Sequence, residues 1–537
     1  MSDSDHKTVG EAIVELLEAY GIDTVFGIPG THSIELYRGL ANSKIRHISP
    51  RHEQGGGFMA DGYARLSGRP AACFVITGAG VTNLATAMGQ AYSDSTPMLV
   101  ISPVNPPAEN GHNIGRLHEI ADQTTVTQDL AGFSEIAGDQ EKLKELICEA
   151  FTVFASERPL PCHIHVPLPL FKETATGSWA VRNIPGPPQV EEADLAAGAE
   201  MIDSAERPII IAGGGIVRSA DAVAEIAEGL NIPVISTTNA KGVLPLDHPL
   251  YLGTTLSTPA TQNLLASCDL LIALGTEMAN TDYWSETLPL PERKLVVNLD
   301  DQLLERQGAT SLGIKADAAD TARKLAAIAK RRQTNPLQAD FDAARAANEA
   351  AVAPETAQVH RAILETIRAA LPEDSSVFTD MTQIAYTGNV AYPSSMFGNW
   401  FHPIGYGTLG YGLPAALGAK LAEPNRAVVA LVGDAGFQYT MQEMALAEEL
   451  GVPLIVIMWN NEALQQIADD MSDAGITKVG VVQKNPDFQA MAKAYRWNAA
   501  HAATLDALTG SIKAALAADG PSFIEVRDPE IRASVAL

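Results

Sequence analysis

The stretch AVVALVGDAGFQYTMQEMALAEELGVPLIVIMWNN, residues 427–461, predicts how this chain folds. Ala427 to Val432 and Leu454 to Trp459 are apolar runs of the kind that is buried on both faces of a parallel sheet. Between them, a Gly-rich turn precedes a predicted helix from Met441 to Leu450, and a Gly-Val-Pro sequence ends that helix. The stretch therefore predicts one β-α-β unit.

A polar residue follows each of these two strands. Asp434 comes after the first strand and Asn461 after the second, and a right-handed crossover brings both strand ends to one edge of the sheet. Open α/β sheets bind ligands at that edge. A carboxylate and an amide oxygen suit Mg²⁺ when phosphate oxygens complete the site. An ordinary turn followed by a polar strand cap is the alternative that these residues alone leave open.

The motif is more specific when it is taken whole. Gly433-Asp434-Ala435-Gly436 followed by Asn460-Asn461 resembles the thiamine diphosphate (ThDP) motif of the acetolactate synthase and 2-oxo-acid decarboxylase superfamily. In that family the Asp, the second Asn and a carbonyl two residues later hold Mg²⁺, so the resemblance implies Asp434, Asn461 and Ala463. Ala435 stands where the family has Gly, which is acceptable if its φ angle stays negative.

Composition limits the partners of the protein. The 537 residues carry a net charge of −27, which argues against nucleic acid or an anionic membrane surface as the partner. No apolar run approaches the roughly 18 residues of a membrane span. The four cysteines are scattered and form no CxxC pair, which is typical of a reducing compartment. We therefore expect a cytoplasmic protein.

Alternating strand and helix patterns predict an α/β fold of three doubly wound parallel-sheet domains. With the resemblance, these are a pyrimidine-binding domain (1–175), a central Rossmann-like domain (190–335) and a diphosphate- and Mg-binding domain (356–537). The central domain has three glycines after a strand, Gly213 to Gly215, but Arg218 stands where a complete G-x-G-x-x-G would have its last Gly. A packing turn is therefore favoured over a nucleotide site. Residues 303–349 are interpreted as a helical linker.

Glu53 lies in RHEQGGGFMADGYAR, between a predicted strand and a predicted helix. Stabilisation of the carboxylate by the helix dipole is one explanation for a Glu at this position. The sequence around it resembles the family's pyrimidine-binding domain. There the Glu binds the aminopyrimidine ring nitrogen and drives the tautomer that activates ThDP, so the resemblance implies that Glu53 is catalytic. Such a carboxylate works best when burial raises its pKa.

Two loops of the first domain are expected to lie at the cofactor. Gly78 begins a turn before a helix, and Asn83 is a candidate polar contact to the pyrimidine or a simple helix cap. Gly30 and Thr31 precede His32, and in relatives this loop lines the reactive carbon of ThDP. Benzaldehyde lyase-like members have a His there, so the resemblance implies that His32 moves protons. A His that is only hydrogen-bonded in a loop is the alternative.

Further candidate residues follow from the same resemblance. His118 occupies the position of a substrate-contacting Gln in acetolactate synthases, which makes it a catalytic or substrate-binding candidate. In the third domain Thr382 and Gln383 resemble the site that receives the diphosphate. Gly407 and Leu409 resemble the segment under the thiazolium, where a carbonyl accepts from the aminopyrimidine and a bulky side chain bends the cofactor.

The chain as a whole most resembles 5-guanidino-2-oxopentanoate decarboxylases. The resemblance implies ThDP- and Mg²⁺-dependent decarboxylation of a 2-oxo acid, with carboligation as in acetolactate synthase or benzaldehyde lyase as the alternative. After the two asparagines this chain departs from those relatives, because Gln465 and Gln466 replace a segment that contains Glu. Asp469 and Asp470 remain as partners for a cationic substrate, so specificity is expected to be decided in this turn.

The resemblance also implies an assembly. In the family two chains hold one cofactor between them, so we expect a homodimer or homotetramer. A flavin- or nicotinamide-dependent oxidoreductase that uses the Gly213 region is the alternative from another class, and FAD is doubtful because the family's flavin-binding segment has no counterpart here.

Overall fold

The computed structural model describes residues 7–106, 114–351 and 355–535. Within them the strands form three sheets, and every pair of neighbouring strands is parallel. The predicted α/β class of three parallel-sheet units is therefore confirmed. The predicted outer domain limits, residues 1 and 537, lie outside the described residues. No described helix is long and apolar enough to cross a bilayer.

The first unit contains a sheet of order β2-β1-β3-β4-β6-β5. Its strands are β1 Thr24–Gly27, β2 Arg46–Ile48, β3 Ala71–Phe74, β4 Met98–Val104, β5 Phe133–Ile136 and β6 Cys162–Pro167. Its helices are α1 Val9–Ala19, α2 Ile34–Leu40, α3 Glu53–Ser67, α4 Ala79–Ser93, α5 Gln123–Thr127 and α6 Gln140–Ser156.

The central unit contains a sheet of order β11-β10-β9-β7-β8. Its elements are α7 Glu192–Ser204, β7 Pro208–Ala212, α8 Ala220–Leu230, β8 Val234–Ser236, α9 Pro259–Ala266, β9 Leu270–Leu274, α10 Asn280–Tyr283, β10 Lys294–Asn298, α11 Asp301–Glu305, β11 Leu312–Lys315, α12 Ala318–Ile328 and α13 Gln338–Ala351.

The third unit contains a sheet of order β13-β12-β14-β15-β17-β16. Its strands are β12 Ser376–Thr379, β13 Trp400–Phe401, β14 Val428–Gly433, β15 Ile455–Asn460, β16 Asn498–His501 and β17 Ser522–Arg527. Its helices are α14 Glu355–Ala370, α15 Gln383–Ala391, α16 Gly412–Ala422, α17 Asp434–Phe437, α18 Met444–Glu449, α19 Gln465–Asp473, α20 Phe488–Ala494, α21 Leu505–Leu516 and α22 Asp528–Arg532. Numbered from its own first strand, this sheet has the same order as the first sheet.

The interpretation of residues 303–349 as a linker was wrong. β11 is the edge strand of the central sheet and pairs with β10 from Leu295 opposite Leu312 onward. Further along, Leu337 just before α13 and Phe341 within it are buried in a cluster with Leu264 and Leu265 of α9. The Ala-rich composition concealed one short strand and the apolar face of a helix.

Helices α3 and α16 join the first unit to the third without intervening side chains. A Cβ atom on Gly62 would overlap the carbonyl oxygen of Ala415, and a Cβ atom on Gly418 would overlap that of Met59. Residue numbers rise along one helix as they fall along the other, so the two helices are antiparallel. This close contact fixes how the first and third units sit relative to each other.

We expect Gly418→Ala to destabilise the fold by about 1–3 kcal/mol, because the added methyl group must displace backbone. The matched control is Gly510→Ala inside α21, where an added Cβ atom meets nothing within 4 Å. Ala has the higher helix propensity, so this control should keep or raise stability by up to about 1 kcal/mol. Urea unfolding of both variants tests the pair, and equal stability would contradict the packing described for α3 and α16.

Candidate active site

Glu53 is the first residue of α3, and its carboxylate meets the first turns of α4. Asn83 Nδ2 donates to Glu53 Oε2 at 2.9 Å. On the other side, a Cβ atom on Gly80 would lie 3.5 Å from Glu53 Oε1. The structure thus brings Glu53, Asn83 and the Gly78 turn together, with the carboxylate half-buried. This oxygen pair is well placed to accept a hydrogen bond from a ring that lies against the turn.

Gly78 occupies a position that only glycine fits. Its φ angle is 60°, and a Cβ atom there would overlap the carbonyl oxygen of His118. Its N–H donates to Gln123 Oε1 at 2.8 Å. The segment that contains His118 and Gln123 is therefore packed directly over the turn.

His32 and His118 lie next to each other at this turn. Their rings meet edge to face with centroids 5.6 Å apart, and His32 Nδ1 lies 3.2 Å from Thr77 Oγ1. Burial, together with the neighbouring His118, lowers the pKa of His32 below its usual value. Before them, Gly30 lies against Ile76 and Thr31 is exposed. These residues form one wall at the carboxyl ends of β1 and β3.

The third unit contributes a second group of residues, arranged around Asp380. Its buried carboxylate accepts from the backbone N–H groups of Met381 at 2.8 Å, of Gly410 at 3.0 Å and of Gly412 at 3.3 Å. A Cβ atom on Gly436 would lie 2.8 Å from Asp380 Oδ1. The carboxylate therefore joins the loop after β12 to the loop before α16, and the turn after β14 packs against it.

Thr382 and Gln383 follow Asp380 at the start of α15. Thr382 is the N-cap residue and makes no side-chain capping bond, and a Cβ atom on Gly433 would lie 2.9 Å from its Oγ1. Gln383 Nε2 donates to Asp469 Oδ2 at 3.0 Å. Uncapped N–H groups at a helix start suit an anion such as a phosphate.

The residues before and after Leu409 are both hydrogen-bonded. Leu409 itself belongs to none of the buried hydrophobic clusters of the described residues. Thr408 donates to Gln90 Oε1 at 3.1 Å, and Gly410 is bound by Asp380. Gly407 has a φ angle of 68°. A half-buried leucine on a braced segment is available to contact a ligand, unlike a leucine of the core.

Asp434 is buried at the end of β14, beside several amide groups. Asn485 Nδ2 donates to Asp434 Oδ2 at 2.6 Å and lies 3.1 Å from Asn460 Oδ1. Burial raises the pKa of Asp434, and the Asn485 bond acts in the opposite direction. Asn460 is thus used for bracing, whereas Asn461 Oδ1 accepts only a long bond, 3.3 Å, from Ala463 N–H among the described residues.

These oxygens could hold a hard cation. Within the described ranges no group of three or more His, Cys, Asp and Glu side chains could bind a metal. One carboxylate with amide and carbonyl oxygens is a ligand set that suits Mg²⁺ when phosphates add further oxygens. Ala435 lies inside α17 and is not among the residues with a positive φ angle, so the condition for replacing Gly at this position is met.

The two glutamines after this motif differ in environment. Gln465 Nε2 donates to Asp469 Oδ1 at 2.6 Å, so Gln465, Asp469 and Gln383 form one chain of hydrogen bonds. Gln466 donates to Asp470, and both of these side chains are exposed. Asp469 therefore faces the Thr382 loop, and Asp470 does not.

The Gly213 turn packs against a second loop of the central unit. Cβ atoms on Gly213 and Gly215 would both collide with Gly275, so close backbone contact accounts for these two glycines. Gly214 lies beside a cavity of about 380 Å³ between the three units. Arg158 crosses this region and pairs with Glu277 at 2.8 Å and with Asp300 at 3.3 Å.

Some residues of the site carry no clear signal in the sequence. Asn485, Gln123 and Thr77 are ordinary polar residues whose partners lie far away along the chain. Glu443 is another: it is fully buried and accepts from the backbone N–H groups of Arg51 at 3.0 Å and His52 at 3.1 Å. Glu443 thus fixes the loop that leads into Glu53.

Three family descriptions match this chain. Residues 7–126 match "Thiamine pyrophosphate enzyme, N-terminal TPP binding domain", residues 195–325 match the central domain, and residues 380–526 match the C-terminal TPP binding domain.

Curated relatives match over almost the whole length. "Probable 2-ketoarginine decarboxylase AruI" of Pseudomonas aeruginosa is 48% identical over 525 residues, which cover 97% of this chain and 94% of that protein. The acetolactate synthase isozyme 1 large subunit of Escherichia coli is 32% identical, over 87% of this chain and 84% of that protein. Among solved structures, the thiamine diphosphate-dependent 4-hydroxybenzoylformate decarboxylase of Rhodococcus jostii has the same fold. Its TM-score is 0.84 at 23% identity, over 97% of this chain and 99% of that one.

The buried Glu443 makes stability depend on pH. Burial raises its pKa from 4.5 to about 7, so between these values the folded protein keeps a proton that the unfolded chain loses. The contribution of such a group is complete below about pH 4.5 and is lost as the pH rises through 7. Glu443→Gln lacks this titrating group and serves as the reference. We expect the stability advantage of the wild type over Glu443→Gln, measured as unfolding free energy, to fall as the pH rises from about 5 to 8. Urea unfolding at a series of pH values measures it, and a difference that does not change with pH would contradict the prediction.

Proposed function

This chain belongs to the thiamine pyrophosphate enzymes, and we propose that it decarboxylates a 2-oxo acid with a guanidinium group, 5-guanidino-2-oxopentanoate (2-ketoarginine). The observation that carries the substrate class is the 48% identity to a relative described as a 2-ketoarginine decarboxylase, over 97% of this chain. The acetolactate synthase relative is less similar, at 32%. Decarboxylation therefore stands ahead of carboligation.

The cofactor supplies, when bound, a carbon nucleophile and an electron sink for the loss of CO₂. Glu53 is proposed to hold the proton that activates it, since Asn83 fixes one carboxylate oxygen and the other faces the Gly80 turn. Asn83 and the turn at Gly78 would hold the pyrimidine. His32 and His118 line the same wall, so they are proposed to hold and move protons at the substrate.

The diphosphate end is proposed to bind in the third unit. Thr382 and Gln383 would receive the phosphates, and Gly433 to Gly436 would lie beneath them. The ligands proposed for Mg²⁺ remain Asp434, Asn461 and the Ala463 carbonyl. The hydrogen bonds support this choice, because Asn460 is already bonded to Asn485, and no backbone N–H of the described residues is bonded to the Ala463 carbonyl. Gly407 and Leu409 would support the middle of the cofactor.

One complete site is proposed to need two copies of the chain. Glu53 begins α3, whereas Arg65, near the end of that helix, donates to Tyr411 beside the Asp380 loops. These residues are 12 apart, so the two half-sites of one chain lie about 18 Å apart along the helix. No hydrogen bond, ion pair or ring contact between described residues joins Glu53 to the Asp380 group. Another copy would supply the missing half, as in a homodimer or homotetramer with the cofactor between chains.

The location is proposed to be cytoplasmic. Cys73, Cys148, Cys162 and Cys268 are all free thiols, and three of them are buried, which supports a reducing compartment.

Mixing two inactive variants tests the reaction and the shared site together. Glu53→Gln alone should still bind ThDP and Mg²⁺ by calorimetry, but should lose roughly 10²–10⁴-fold in turnover as CO₂ release. Asp434→Ala alone should bind ThDP poorly, because its metal site is incomplete.

When the two variants are unfolded and refolded together, roughly a quarter of wild-type activity should return, because half of random dimers are mixed and each has one intact site. Mixtures that stay inactive would contradict the shared site, and full turnover by Glu53→Gln would contradict the role of Glu53.

The substrate class is tested at Asp469, which faces the Thr382 loop. We expect Asp469→Asn to lower kcat/KM for 5-guanidino-2-oxopentanoate by roughly 10–100-fold, the worth of a charge-assisted hydrogen bond. An uncharged 2-oxo acid of similar length should be affected far less. Asp470→Asn, one residue further and exposed, is the matched control and should change neither. CO₂ release and mass spectrometry of the products measure both, and equal losses with the two substrates would contradict the assignment.

A further inference from the structure

A buried polar network lies behind His32, and the mechanism above does not use it. Five of its side chains are at most 1% exposed: Ser102, Gln123, Thr127, His163 and His165. Thr77, only 2% exposed, connects this network to His32. Because buried hydrogen-bonding groups must be satisfied, the donor and acceptor in each pair can be worked out in turn.

The hydroxyl group of Thr77 has one proton and two neighbours. It lies 3.1 Å from the carbonyl oxygen of Pro103 and 3.2 Å from His32 Nδ1. A carbonyl oxygen can only accept, so the Thr77 proton points to Pro103. Thr77 Oγ1 must then accept from His32, which places the His32 proton on Nδ1.

Gln123 holds the Pro103 carbonyl in place. The Gly78 N–H can only donate, so the atom that it meets at 2.8 Å is the Gln123 carbonyl oxygen. The Gln123 NH₂ group is therefore turned toward three acceptors: Pro103 O at 2.9 Å, His165 Nδ1 at 3.0 Å and Ser102 Oγ at 3.0 Å. One amide thus fixes both the Gly78 turn and the acceptor of the Thr77 proton.

The two deeper histidines follow from the same accounting. The Ser134 hydroxyl donates to Thr124 O at 3.0 Å, so it accepts from His165 Nε2 at 2.8 Å.

The Ser134 hydroxyl also accepts from Thr127 Oγ1 at 2.9 Å, and Thr127 then accepts from His163 Nδ1 at 2.8 Å. His163 Nε2 is left to accept from Ser102 at 2.7 Å. Both rings are neutral in this arrangement, which agrees with the lowered pKa that burial gives each of them.

We infer that Thr77 is a positioning residue that fixes His32 as the Nδ1–H tautomer, so that His32 presents the lone pair of Nε2 as a hydrogen-bond and proton acceptor. Among the described residues no hydrogen bond to Nε2 is found. A proton taken up there is not relayed inward, because the network behind Thr77 ends on the Pro103 carbonyl. The tautomer stands on the hydrogen bonds alone; its use in the reaction rests on the proposed function.

Nitrogen NMR of the ¹⁵N-histidine-labelled chain without cofactor tests the tautomer directly. The His32 signals are identified by their loss in His32→Gln. We expect a protonated Nδ1 and a lone-pair Nε2 in His32, with His163 of the same type and His165 of the opposite type as internal standards. A wild-type His32 that is protonated on Nε2 would overturn the inference.

Two substitutions at Thr77 separate positioning from packing. Thr77→Ser keeps the hydroxyl group and should keep the Nδ1–H tautomer. Thr77→Val keeps the shape and should lose the preference, with kcat on a 2-oxo acid lowered by roughly tenfold and KM changed less. A Val variant with the wild-type tautomer would overturn the inference. If the NMR result is as expected and no 2-oxo acid is turned over, the proposed function fails and the tautomer assignment stands.

Discussion

The buried carboxylate of Asp380 is the interaction on which the third unit's half of the site depends. Burial raises its pKa to about 6, while the N–H groups of Met381, Gly410 and Gly412 act in the opposite direction. These donors belong to the end of β12 and to the loop that leads into α16. A single side chain therefore ties the loop before α15 to the segment that carries Leu409. Loops that no regular structure connects are thus linked through one buried side chain.

In the first unit, an amide and a carboxylate link loops in a similar way. Gln123 binds the Gly78 N–H and the Pro103 carbonyl, and Glu443 of the third unit binds the N–H groups before Glu53. In each place a buried polar side chain satisfies backbone groups that lie next to a candidate catalytic residue. Such buried groups cost free energy unless they are paired, and the pairing leaves only one arrangement for the turn. Precise positioning in this chain therefore comes from the buried partners of the loops.

The two apolar strands of residues 427–461 were predicted from the sequence to within one residue at each end, because burial on both faces leaves a clear pattern. β11 was missed, since only Ile314 of its four residues is buried. Candidate residues were found where a short motif carries them, as with Asp434. Asn485 could not be found in this way, because it reaches Asp434 across 51 residues. Periodicity reports which face is buried, but it carries no information about which distant side chains are hydrogen-bonded.

Helix α19 differs from the rest of the site, because Ala468 is its only buried residue. Most substitutions on such a helix change few packing contacts, and surface changes usually alter stability by no more than about 0.5 kcal/mol. The residues beside the expected substrate position are thus separated from those that keep the protein folded. Laboratory evolution of new substrate ranges can therefore begin on α19 with randomised libraries in which most members still fold.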